Sequence, residues 1–371
     1  MNVPLIDLQA QYHSIRETVR QAVDRVFETQ QFVMGPEVAA LEKEVAAYCQ
    51  TTEAIGCASG SDALLLALMA LNVGRDDEVI TTPFSFFATA SAIARLGARP
   101  IFVDIDPVTY NLNIDHIPAA ITSLTRVVIP VHLYGQCAEM DRVLALCHAK
   151  NLIVLEDAAQ AIGAEDRGRR AGSMGIAGCF SFYPSKNLGA AGDAGIITTS
   201  DADFAARVKR LRVHGGLTEY QHIEVGINSR IDAIQAAVLR AKLPHLDGWS
   251  NARAEKAAVY SHLLEGAKLN YRVVPPFIRP DGRHIFHQYV LRVPEHRDAL
   301  MEHLKARGVA TKIYYPIPLH LQECFAYLGY KEGAFPEAER AARETFALPL
   351  YPELTLEQQE YVVNAIQDFR P

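Results

Sequence analysis

The chain gives disulfide and zinc chemistry little to work with. Its six cysteines, Cys49, Cys57, Cys137, Cys147, Cys179 and Cys324, are scattered, and none forms a C-x-x-C pair. Reduced, mostly buried thiols are expected, with no metal site. Long apolar runs are also missing: the longest, Ala63–Leu71, has nine residues, against the ~20 that a membrane helix needs. The opening MNVPLIDLQAQY has neither a basic n-region nor an apolar h-region, so no signal peptide, no membrane partner and a cytoplasmic location are expected. Basic charge is in deficit, with 36 Lys and Arg against 43 Asp and Glu and no basic cluster. A reader of nucleic-acid phosphates is therefore not expected. No G-x-G-x-x-G follows the first candidate strand, which counts against a nicotinamide dehydrogenase. Repeats and low-complexity segments are absent as well. What remains, 371 residues with 49% apolar and 21% charged, has the size and composition of a two-domain globular enzyme.

Residues 10–50 carry helical periodicity. From Glu53 to about Thr199, short apolar strands alternate with helices. Candidate strands are Ala54–Cys57, Glu78–Thr81, Arg99–Val103, Val127–Val131, Leu152–Leu155, Cys179–Phe182 and Ala194–Thr198. That alternation predicts an α/β fold with a mainly parallel central sheet and helices on both faces. Helices are expected at 202–214 and, as one long element, at 230–265. Mixed segments follow, with the character of a smaller α+β domain. The expected division is 1–245 for the large domain, N-terminal helices included, and 246–371 for the small one.

In such a sheet, ligands gather at the carboxyl ends of the strands, and four segments put polar groups there. Ser59-Gly60-Ser61-Asp62 opens an apolar helix, where free N–H groups and the helix dipole suit an anion; Ser and Asp are equally common as plain caps. Leu152–Leu155 runs into Glu156-Asp157, with Gln160 beyond; a carboxylate there caps the next helix or holds a cofactor cation. Ser181 leads into Pro184-Ser185-Lys186-Asn187 and a Gly-rich stretch, where Lys186 is either a turn lysine or an amine nucleophile. TPFSFFATASA, residues 82–92, offers phenylalanines that are core or that stack on a flat ring. Taken together, a phosphate cradle, an anion, an amine and an aromatic plate are the parts that hold pyridoxal phosphate.

PLIDLQAQY, SGSDAL, TPFSFFAT, FVDIDPVTYN, PVHLYGQ, LEDAAQAIGA, FSFYPSKNLGAAGDAG, GINSRID, YYPIPLHLQ and ALPLYPELT occur in this order along the chain. In them the sequence resembles the DegT/DnrJ/EryC1/StrS family of pyridoxal-phosphate-dependent sugar-nucleotide aminotransferases. The resemblance implies fold type I, the aspartate aminotransferase-like fold. It implies that Lys186 carries the cofactor and moves the proton, and that Asp157 pairs with the pyridine nitrogen. Gln160 would face the ring hydroxyl and Phe86 would stack on the ring. Ser61, the backbone of Asp62, and Ser181 would bind the phosphate, joined by Asn228 from a neighbouring subunit of a homodimer. Arg230, Tyr314, Tyr315 and His320 would lie near the sugar. Glutamate would be the amino donor, and C3 of a dTDP-linked 3-keto-6-deoxyhexose the acceptor. A 4-ketosugar, a UDP-linked 3-keto uronate and a non-catalytic regulator that kept the fold are the alternatives. GDAG at 192–195 departs from the commoner GDGG, which is harmless if residue 194 is not left-handed.

Other residues carry plainer expectations. Asp104 and Asp106 should make turn hydrogen bonds, and His132 should lie on the site floor or in the core. His284 and His287 have a metal-like spacing without a third ligand and are read as structural. Lys209, Arg210 and Arg212 are read as a solvated helix face.

Overall fold

The computed structural model describes all 371 residues. Seven strands form the central sheet: β1 (Glu53–Cys57), β2 (Glu78–Thr81), β3 (Arg99–Phe102), β4 (Thr125–Val128), β5 (Ile153–Asp157), β6 (Ala177–Ser181) and β7 (Gly195–Thr199). Their spatial order is β1-β7-β6-β5-β4-β2-β3. Neighbours from β6 to β3 pair in parallel, and only β7 runs against both of its neighbours. The mainly parallel sheet expected from the alternation is therefore present. The strands are nearly all apolar because both faces are covered.

One face packs against the helices Gly60–Ala70 and Ala202–Leu211, with Leu64, Leu66, Leu68 and Val208 meeting Ile55, Val127 and Leu155. Part of the other face is covered by the N-terminal helices Leu8–Thr29 and Pro36–Tyr48, whose Val26, Val38 and Leu41 reach Phe180 and Ile196. The Gly60–Ala70 helix is apolar all round and almost wholly buried, as a helix packed on several sides should be.

The helix expected at 230–265 is broken. Ala233–Lys242 ends, a short 3-10 turn Leu243–His245 intervenes, and Leu246–Gly266 continues. Pro244 sits in the break, where it donates no backbone hydrogen bond. The C-terminal part pairs Tyr289–Arg292 with Thr345–Leu348 in an antiparallel ladder, flanked by Leu246–Gly266, Arg297–Ala306 and Leu356–Gln367. Its apolar core also includes Val3, a residue that the expected division placed with the larger domain.

Two further expectations are sorted here. Asp104 accepts from the backbone N–H of Glu337 and Ala338, both at 2.9 Å, so it caps the Pro336–Glu344 helix. Asp106 closes its turn by accepting from Val108 and Thr109. Lys209 and Arg210 pair with Glu53 and Glu224 on the surface. Arg212, by contrast, is buried, donating to Glu42 and to the Gly56 carbonyl. The solvated-face reading fails for it, because the end of its helix turns inward between β1 and the N-terminal helices.

Candidate active site

The turns that leave the carboxyl ends of β1, β2, β4, β5 and β6 surround a cavity of about 720 Å³. Ser61, Phe86, Asp157, Gln160, Ser181, Lys186, Tyr314 and Tyr315 all line it. Burial pulls the Lys186 ammonium down to about 8, an effect only partly offset by the Asp157 carboxylate. An amine so tuned is far more often neutral near physiological pH than a surface lysine, and hence a nucleophile. Asp157 is itself buried, which raises its pKa; hydrogen bonds from Thr89 and Ala159 and the charge of Lys186 oppose that rise. Thr89 Oγ1 donates to Asp157 Oδ2 at 2.7 Å, the Ala159 N–H reaches Oδ1 at 3.2 Å, and Ser85 lies 2.9 Å behind Thr89. The carboxylate is thus fixed by its own strand end and by the Ala88–Arg95 helix.

At the other end of the cavity stands the N-terminus of the Gly60–Ala70 helix. Ser59 caps it, its Oγ accepting the Asp62 N–H at 3.1 Å. The N–H groups of Gly60 and Ser61 keep no protein partner, leaving two donors and a dipole for an anion. The expectation that the Asp62 N–H binds phosphate is corrected: the cap occupies that donor, and Asp62 does not line the cavity. Ser181 is pressed against this helix end. A Cβ on Gly60 would stand 2.6 Å from the Ser181 Cβ, and one on Gly195 would stand 2.4 Å from the Ser59 carbonyl. Both positions therefore need glycine. Ala194 has no positive φ, so the GDAG variation costs nothing.

Gln160 is held from two sides. Its Oε1 accepts the Tyr134 N–H at 2.9 Å, and its Nε2 donates to the Tyr315 hydroxyl at 2.6 Å. Tyr134 in turn donates its hydroxyl to the Tyr314 carbonyl, which ties the Tyr314–Tyr315 segment to the cavity wall. The Phe86 side chain is largely exposed, an unusual state for phenylalanine, and it lines the opening. An amine, a facing carboxylate, an aromatic plate and a helix N-terminus cleared by glycine fit a phosphorylated pyridine aldehyde.

Asn228, Arg230 and His320 are not brought into this cavity. Asn228 is exposed on the chain's own surface and Arg230 is part-exposed. His320 is only 2% exposed; its Nε2 lies 3.0 Å from Glu339 and its ring packs edge-on against Phe335. As placed, it is a packing residue and not a sugar contact, because Glu339 and the surrounding core enclose it.

Sequence reasoning missed Thr89, Gln288 and Lys312, and it misjudged His287. His287 lines the cavity, with Nδ1 3.1 Å from Asn187 Oδ1, and burial pushes its pKa well down. The spacing of Phe86 and Thr89, three residues apart and so on one side of a helix start, was the available signal for Thr89. His132 lies in the core: its Nδ1 accepts the Ala138 N–H, so Nε2 carries the proton toward Glu156, 2.9 Å away. His284 is stacked on Phe286 and accepts that residue's N–H, as a structural histidine.

These features on a type I fold define a pyridoxal-phosphate-dependent aminotransferase. The sequence profile of the DegT/DnrJ/EryC1/StrS aminotransferase family matches residues 13–367, and the chain belongs to that family. It is 50% identical over 370 residues to the pleiotropic regulatory protein of Geobacillus stearothermophilus, covering 100% of this chain and 99% of that one. It is 42% identical over 365 residues to the UDP-N-acetyl-3-dehydro-alpha-D-glucosamine 3-aminotransferase of Acidithiobacillus ferrooxidans, covering 98% and 97%. Among solved structures, S. venezuelae DesV in complex with a ketimine intermediate superposes with a TM-score of 0.95 at 41% identity, covering 99% of this chain and 98% of that one. No helix is long and apolar enough to cross a membrane.

Proposed function

We propose that the enzyme transfers an amino group from L-glutamate to C3 of a nucleotide-linked 3-ketosugar, by preference a dTDP-linked 3-keto-6-deoxyhexose. The observation that carries the reading is Lys186 and Asp157 lining one cavity together with the Tyr314–Tyr315 segment. Relatives named for 3-amino or 3-keto sugars on dTDP and on UDP support the position. When bound, pyridoxal phosphate supplies an electron sink for the carbon that gains or loses the amine.

The chain supplies the rest. Lys186 would hold the cofactor through its amine, and the same amine would carry the proton between carbons. Asp157 presents its anion to the ring nitrogen, Gln160 donates toward the ring hydroxyl, and Phe86 stacks on the ring. Ser61 and Ser181 hold the phosphate, together with the free N–H groups of the helix start. In a homodimer Asn228 and Arg230, neither of which lines its own cavity, complete the partner's site, and Arg230 meets the sugar beside Tyr314 and Tyr315.

One observation favours a second reading. The relative at 50% identity is named a regulator, so a sensor that binds the cofactor without turnover is the rival. Incubation with glutamate and equal concentrations of dTDP-3-keto, dTDP-4-keto and UDP-3-keto-uronate sugars separates them, with the products identified by mass and NMR. A 4-amino product overturns the position but not the aminotransferase. Cofactor binding without any aminosugar establishes the sensor. Mixing Lys186→Ala with Asn228→Ala subunits checks the shared sites, since heterodimers should regain one intact site and hence activity.

A further inference from the structure

Beside the main cavity lies a smaller one of about 40 Å³, and Ser185, His287, Gln288 and Tyr314 line both. Arg253, on the Leu246–Gly266 helix, also lines the smaller one and is only 3% exposed. A guanidinium stays charged and has five N–H donors in a planar fork. Here only Nη1 is engaged, donating to the carbonyls of Leu350 at 2.8 Å and Phe286 at 3.4 Å. The other two deeply buried arginines each touch a carboxylate: Arg212 meets Glu42, and Arg279 lies 2.9 Å from Asp166. Arg253 makes no ion pair; Glu353 acts on it only from a distance. A buried cation left uncompensated is costly, and its geometry calls for an anion. In the same wall the buried Oε1 of Gln288 has no hydrogen-bond partner; half a turn of the amide presents N–H there instead.

We propose that this small cavity is the carboxylate subsite for the amino donor, with Arg253 forked onto a carboxylate of the amino acid while its amine stands in the main cavity. The proposal rests on the aminotransferase reading. The space admits a carboxylate or one or two waters but no sugar ring, which favours the donor over the nucleotide sugar. A uronate carboxylate is the other source of the same chemistry, and the test includes it.

The holoenzyme is titrated with glutarate, an unreactive dicarboxylate, by calorimetry, and the two half-reactions are followed separately by the cofactor's visible absorption. Arg253→Met should weaken glutarate binding at least tenfold and lower kcat/KM for glutamate about 100-fold. The reaction of the already aminated enzyme with ketosugar should change less than threefold, and Arg253→Lys should recover part of the glutamate loss. Equal losses in both half-reactions, or unchanged glutarate affinity, overturn the proposal. So does a loss confined to a uronate ketosugar. If Arg253→Met fails to fold, Gln288→Leu decides: several-fold weaker glutarate binding supports the subsite, and unchanged binding overturns it. An enzyme that binds glutarate through Arg253 yet takes no amine from glutamate would refute the donor assignment alone.

Discussion

Glu156 and Asp157 are consecutive residues at one strand end, and they have opposite fates. Strand alternation sends their side chains to different sides of the sheet. Glu156 enters a sealed pocket where the N–H groups of Gly172, Met174 and Gly175, all at 2.7 Å, and His132 at 2.9 Å saturate its oxygens. Asp157 faces the cavity with Thr89 and one backbone N–H, and its remaining acceptor capacity points toward Lys186 and open space. One carboxylate is consumed by the fold, and the other is left for chemistry. A buried acid is informative through what it still lacks.

The contrast can be broken at the open side first. Lys186→Ala should reduce transamination to background in a coupled assay, since the other amine lining the cavity, that of Lys312, sits over the Tyr314 ring, 5.3 Å from its centroid; substantial turnover would remove Lys186 from the reaction. Asp157→Asn should leave thermal unfolding nearly unchanged but lower kcat by several powers of ten, each worth about 1.4 kcal/mol of barrier. On the sealed side the pattern should invert. Glu156→Gln turns an NH2 toward backbone donors and should cost about 3 kcal/mol of stability in urea unfolding, while the molecules that stay folded keep kcat within a few-fold. A variant of normal stability but no activity would erase the distinction. The smallest effect is expected at Thr89→Val, a decrease of about tenfold. The Thr89 hydroxyl favours the ionised form of Asp157, so its removal should raise that pKa. Activity that needs the anion is lost as pH falls through the pKa, and the acid limb of the kcat profile should therefore move to higher pH.

Much of the open side was legible in the sequence because its signals are local. A strand end, a glycine and a capping serine announce themselves within four or five residues, and the observed strands start and stop within three residues of the expected ones. Lys186, Asp157, Gln160 and Ser61 each sit at such a junction. What escaped depends on contacts between distant segments. The burial of Arg212 needs Glu42, the enclosure of His320 needs Glu339, and the Tyr315–Gln160 bond spans 155 residues. The pairing of Arg253 with Leu350 has no local trace. Pro244, where the helix breaks, is a local signal that the expectation of one long helix at 230–265 did not use.

Val3 exchanges backbone hydrogen bonds with Gly308 and Ala310, at 2.9 and 3.0 Å, and lies fully enclosed in the core of the C-terminal part. Val3 is thus held by a segment that comes far later in the chain. Until residue 310 has been synthesised, the N-terminal stretch has nothing to pair with, and the C-terminal part cannot close its core without it. Closing a loop of that length is slow compared with forming the local helices, so the contact between Val3 and the Gly308–Ala310 segment should form after them.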